Sequence, residues 1–207
     1  MEQIQVELPD PDSVHRMLAG WAAVHAAIFS LPELESAFSI DAGRVTYHDG
    51  GGSHFHFARL SNGRATIFGF DRACPDPTLE DNRQVLQDLG STPWWLESAC
   101  SEAISNFAYG YDSGRWFAVG HDPMRIAPMM LAPGPSREPT SALSTLADFL
   151  EQASEDLFGS AVRGDDTALE TLLAAGSDMD EAILRAAMIG DYEHLDDGLA
   201  AAALFRD

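Results

Sequence analysis

Three histidines lie close together in this chain, His48, His54 and His56, with Asp49 beside the first. Imidazole and carboxylate are ligands that Zn²⁺ and Fe²⁺ accept, and side chains two residues apart on a strand share a face, so His54 and His56 are expected to project the same way. A metal-dependent enzyme using His48, His54 and His56 is one reading of the cluster. A His-x-His pair of this kind needs a carboxylate nearby to complete a ligand set, and the run from Phe57 to Gly63 holds none. The competing reading turns Phe55 and Phe57 into the core and leaves the histidines on the other side, with no cofactor expected.

Other residue types that do chemistry are poorly placed for it. Neither Cys74, followed by Pro75, nor Cys100, in an apolar run, has the cationic surroundings that activate a thiolate. There is no Gly-x-Ser-x-Gly elbow, and Gly50-Gly51-Gly52-Ser53 lacks the Gly-Lys-Ser/Thr of a phosphate-binding loop. His121-Asp122 is a single dyad before a proline, the pattern of a turn. These absences point away from catalysis. Trp94-Trp95 points toward contact instead: neighbouring helical side chains diverge by about 100°, so at most one of the two fits a shared core, and the other is a candidate anchor for a partner.

Charge is the extreme property of the chain. Its 207 residues carry 33 acidic side chains against 12 basic ones, for a net charge of −21, and every basic residue is an arginine. Such a field repels phosphate backbones and draws in cationic surfaces, which argues against direct nucleic-acid binding. The densest acidic stretches are Asp76 to Asp88, including Glu80 and Asp81, and Asp165 to Asp197, including Asp166, Asp191 and Glu193. With Trp94 and Trp95, these are the candidate protein-binding residues, although acidity also serves solubility alone. The two cysteines form no disulfide framework, no signal-peptide pattern opens the sequence, and no apolar run reaches the roughly 20 residues of a membrane span. A cytoplasmic protein is expected.

The elements that position these residues are read from period and punctuation. A helix is expected from Asp12 or Ser13 to about Ser30, stopped by Leu31-Pro32, and a short helical patch over Glu33 to Phe38. The segment before it, Met1 to Pro11, is polar and proline-bearing. Period two then sets in, with a hairpin or short strand pair around Asp41-Ala42-Gly43. A hairpin follows whose strands flank Ser61-Asn62-Gly63, and another turns at Asp112-Ser113-Gly114. Between the last two hairpins, helices are expected from Thr78 to Gly90 and from Thr92-Pro93 onward. Pro123 to Pro139 reads as an irregular excursion, and Ser141 or Ser144 caps an amphipathic helix to Leu157 or Phe158. The fold class implied is α+β: a mainly antiparallel sheet with hairpins covered by helices, then a C-terminal helical segment. The expected domains are residues 1–158 and an extension over residues 159–207.

That extension, from Ala161-Val162-Arg163-Gly164-Asp165-Asp166 through Leu172-Leu173-Ala174-Ala175-Gly176 to Ala186-Ala187-Met188-Ile189-Gly190-Asp191, resembles about one and a half ankyrin repeats. So short a stack does not bury its own apolar face, so it should dock on the preceding core or on a partner, and an adaptor binding through these helices is one function it would serve. The order of elements over residues 38–158 resembles a group of uncharacterised actinobacterial proteins and, more distantly, the SUKH superfamily of toxin-immunity proteins. The resemblance rests on Phe57 to Ala65, Gly69-Phe70-Asp71, Pro93-Trp94-Trp95, Tyr109 to Trp116 and the helix Leu143 to Leu150. It implies a non-enzymatic module that binds and blocks a toxin, often a nuclease, whose cationic active site an acidic surface would mimic nucleic acid to occupy.

Overall fold

A computed structural model describes residues 3–41, 43–72, 93–96, 105–119, 130 and 141–206. The expected α+β class is what it shows, but the polypeptide divides into two compact units along a different line from the one expected at residue 158. One unit, residues 1–11 and 39–128, holds the sheet; the other, residues 12–38 and 129–207, is helical.

The sheet has seven strands: β1 (Gln3–Val6), β2 (Phe38–Asp41), β3 (Arg44–His48), β4 (His54–Leu60), β5 (Arg64–Phe70), β6 (Phe107–Asp112) and β7 (Arg115–Val119), in the order β1-β7-β6-β5-β4-β3-β2. All pairs from β3 to β7, and β1 with β7, are antiparallel. The two expected hairpins are present. Asn62 and Gly63 lie at φ 69° and 68°, and Ser113 and Gly114 at 52° and 81°, the left-handed backbone that tight reversals require and that glycine and asparagine tolerate. Register then fixes the faces. Val45, Phe57, Ile67, Tyr109 and Ala118 line up across five strands and are buried. The polar opening segment is a strand after all: Gln3 to Val6 pair with Val119 to Trp116, and the Trp116 indole donates to the Pro9 carbonyl at 2.7 Å. Only Ile4 and Val6 alternate there, too few to reveal a period.

The helical unit contains α1 (Pro11–Phe29), α2 (Leu31–Ala37), α3 (Ala142–Phe158), α4 (Asp166–Ala175), α5 (Glu181–Ala187) and α6 (Leu195–Ala203) among the described residues. Helix α1 is buried on nearly every side, as an apolar helix without a polar face must be. Trp21 meets Phe149 of α3 with ring centroids 5.8 Å apart. Gly20 lies under Leu172 and Leu173 of α4, and Gly198 of α6 sits so close to Ala23 and Ala27 that an added Cβ would approach the Ala23 carbonyl to 2.7 Å. The C-terminal helices therefore pack on α1. Ser141 caps α3 by accepting from the Ser144 amide, and Asp165 and Asp180 cap α4 and α5 in the same way. Ser154 pins the connection to α4, its hydroxyl accepting from the Val162 amide at 2.8 Å.

Candidate protein-binding surface

The three histidines do come together, on one face of the sheet. His48 and His54 are direct cross-strand partners, and the His48–His54 and His54–His56 ring centroids are each 5.5 Å apart. Their neighbours, however, are aromatic and hydroxyl groups: His54 stacks on Phe70, His56 packs on Phe68, and His56 Nδ1 lies 2.8 Å from the Thr46 hydroxyl. Asp49 is occupied in its own loop, where one carboxylate oxygen accepts from the Gly51 and Ser53 amides. Among the described residues no group of three or more histidine, cysteine or carboxylate side chains is placed to hold a metal ion. Phe55 and Phe57 are fully buried, while His48 is exposed and His54 and His56 half-buried.

The paired tryptophans part as their helical spacing requires. Trp95 is buried with Phe68, Leu96 and Ala108, its ring directly over Gly110 of β6. Trp94 is half-buried; its indole N–H donates to Asp112 Oδ2 at 3.1 Å, and the Arg64 guanidinium lies 5.0 Å above its ring. Arg64 also pairs with Asp112 at 3.2 Å, closing a triangle beside the β6–β7 turn. The indole hydrogen bond first, then the arginine charge, hold the Asp112 carboxyl below its ordinary range. Sequence reasoning missed Arg64 and Asp112, because they meet only once β5 and β6 pair. Trp94 is thus the tryptophan of the two that reaches the surface.

Acidity is unevenly divided. The helical unit carries 19 carboxylates against five arginines, a net charge of −14, whereas the sheet unit carries 14 against seven, a net charge of −7. The four described arginines of the helical unit are all engaged within it. Arg16 donates to Ser13, Arg163 to Glu151 and to the Gly164 carbonyl, Arg185 to Glu181 and Arg206 to the Ser177 carbonyl. Asp165, Asp191 and Glu193 are exposed; Asp166 is half-buried in an ion pair with Arg163 at 3.1 Å. Asp76, Glu80, Asp81, Cys74, Cys100 and His121-Asp122 lie outside the described residues, as do the expected helix over Thr78 to Gly90 and the excursion from Pro123 except for Met130.

A groove runs along α4 and α5 with a volume of about 680 Å³. These helices are antiparallel: the Gly164 amide, just before α4, donates to the carbonyl of Ala187 at the end of α5. Ala168, Ala182, Ile183 and Ala186 line the groove, with Asp165 toward one end and Asp180 toward the other. Sequence reasoning named Asp165 as a binding residue but not Ile183, Ala186 or Asp180. The signal was the Ile183–Ala186 spacing of three, which marks one helical stripe but does not say that the stripe stays uncovered.

No protein-family model, no curated protein and no solved structure matches the chain. No described helix is long and apolar enough to cross a membrane.

Proposed function

We propose that this protein is a binding module that engages a cationic protein partner through its acidic helical unit, acting as an immunity-type inhibitor of a toxin or nuclease. The observation that carries the reading is the partition of charge: a net −14 on the helical unit, with its described arginines tied into intramolecular contacts. That net charge already counts the arginines, so the unit presents an excess of carboxylate to an approaching surface. A catalytic pocket that binds a phosphate backbone is lined with cations, and an acidic surface competes for it on the same electrostatic terms.

The test is capture from host extract with the full chain and with an Asp191→Asn/Glu193→Gln/Asp196→Asn variant, followed by kinetics on whatever protein is retained. The reading expects a basic protein whose activity the chain inhibits. Its association rate should drop on the order of tenfold or more as salt rises from about 50 mM to about 500 mM. A retained partner that binds the neutralised variant equally fast, at a rate indifferent to salt, would sink it.

A further inference from the structure

We infer that the α4–α5 groove is the seat of a short cationic segment of a partner protein, one carrying an aliphatic side chain between two basic residues. The inference rests on the acidic-surface reading above and names the occupant of one part of that surface.

The argument is geometric. Helix α4 has 10 residues and is therefore about 15 Å long. Because α4 and α5 run antiparallel, their N-caps fall at opposite ends of the groove, and both N-caps are aspartates. Asp165 Oδ1 accepts from the Ala168 amide and Asp180 Oδ1 from the Ile183 amide, each at 2.9 Å. Each Oδ2 has no hydrogen-bond partner among the described residues. Between these ends the lining is mainly small and apolar, with Thr167 and Thr171 its polar members: Ala168, Ala182 and Ala186 leave room, and Ile183 supplies a half-buried apolar contact. Among the described residues no basic side chain lines the groove. An apolar trough with a carboxylate at either end complements a segment with the reverse pattern, aliphatic in the middle and cationic at both ends. At about 3.3 Å per residue, and with every second side chain on one face, an extended chain covers most of the 15 Å with basic residues four positions apart and an aliphatic one midway between them.

The probe is a capped hexapeptide, Ala-Arg-Ala-Leu-Ala-Arg, whose two arginines and leucine share one face when extended, titrated to millimolar concentration into the isotopically labelled full-length protein and followed by amide chemical shifts. Two control peptides replace both arginines by glutamine or the leucine by serine. Asparagine caps a helix as well as aspartate does, so Asp165→Asn/Asp180→Asn removes charge and keeps both caps. Ala186→Arg, at an exposed position, fills the trough with a cation of the chain's own. We expect saturable shifts centred on Gly164, Ala168, Ile183 and Ala186, and affinity lower by about tenfold or more with each control peptide and each variant. Shifts that scatter over the acidic surface and ignore Ala186→Arg would overturn the groove while leaving the acidic-surface reading standing. Absence of any shift at millimolar peptide would overturn the groove as well. Failure of the acidic-surface reading itself shows separately, as a partner indifferent to salt. If sedimentation shows a dimer that Ala186→Arg dissociates, the occupant is a second copy and the inference is wrong.

Discussion

Gly110 offers a sharp test of how the sheet unit packs. Glycine in mid-strand ordinarily costs about 0.5–1 kcal/mol relative to alanine, so Gly110→Ala should stabilise β6 if nothing lies above it. The ring of Trp95 lies above it: an alanine Cβ would come within 2.1 Å of two ring carbons and 2.5 Å of a third. Trp95 is 2% exposed and is enclosed with Phe68, Leu96 and Ala108, so the ring has little room to retreat. Overpacking of this kind costs about 1–3 kcal/mol, and an overlap with three atoms of a rigid ring belongs at the upper end. Subtracting the intrinsic gain leaves a net loss of about 2 kcal/mol. Urea unfolding followed by circular dichroism reads this as a lower midpoint at unchanged slope. In a Trp95→Leu background, where the ring is gone, the same substitution should become neutral or stabilising, giving a coupling energy of about 2 kcal/mol. A Gly110→Ala protein within about 0.5 kcal/mol of the parent, or a double variant whose losses simply add, would refute the placement of Trp95 on β6.

Ser141→Ala should cost about 1 kcal/mol in urea unfolding, since it removes the cap of α3 and strands the buried Ser144 amide; Ser141→Thr, which keeps the hydroxyl, should recover most of it. His25 packs against Phe29, Phe38 and Phe149, and burial lowers its pKa from the usual 6.5. The unfolded chain therefore binds the proton first, and stability should fall as pH drops below about 6.5 until the lowered folded pKa is passed; a His25→Leu protein with an equally steep loss over that window would contradict this. Relocating charge at constant net −21, with Asp165→Asn/Asp180→Asn on the helical unit and Gln5→Glu/Ser61→Asp on the sheet unit, should leave solubility unchanged and weaken the hexapeptide about tenfold. Equal affinity would show that only net charge matters.

The sheet was readable because its signals are local. Phe55 and Phe57 alternate with histidines, and Asn62-Gly63 and Ser113-Gly114 supply the backbone that two-strand reversals need, so the β4–β5 and β6–β7 hairpins could be placed within a residue or two. Strand β1 escaped because it exists by pairing with β7, more than 100 residues away, not by any pattern of its own. The division into units escaped for the same reason. Leu172, Gly198 and Phe149 each reveal themselves as neighbours of α1 only in three dimensions, while in sequence α1 is separated from them by six of the seven strands. The histidine cluster was half legible: strand period put His54 and His56 on one face, but nothing in the spacing disclosed that Asp49 would be spent on the Gly51 and Ser53 amides.

Acidity is ambiguous when counted over the whole chain, because solubility depends on net charge and recognition depends on where the charge stands. Two features shift the balance toward recognition. The carboxylates at Asp165 and Asp180 are held in place by their own helices, each fixed by a backbone amide, so neither side chain must be ordered when a cation arrives. Long side chains that are immobilised on binding lose roughly 0.5–1.5 kcal/mol each, a cost that pre-fixed aspartates largely escape. The trough between them is mainly apolar, which solubility does not require. Charge alone would give a fast, weak and indiscriminate encounter; on the proposed reading an apolar contact at Ile183 would slow escape, and the spacing of the two caps would select which cationic segments can use it.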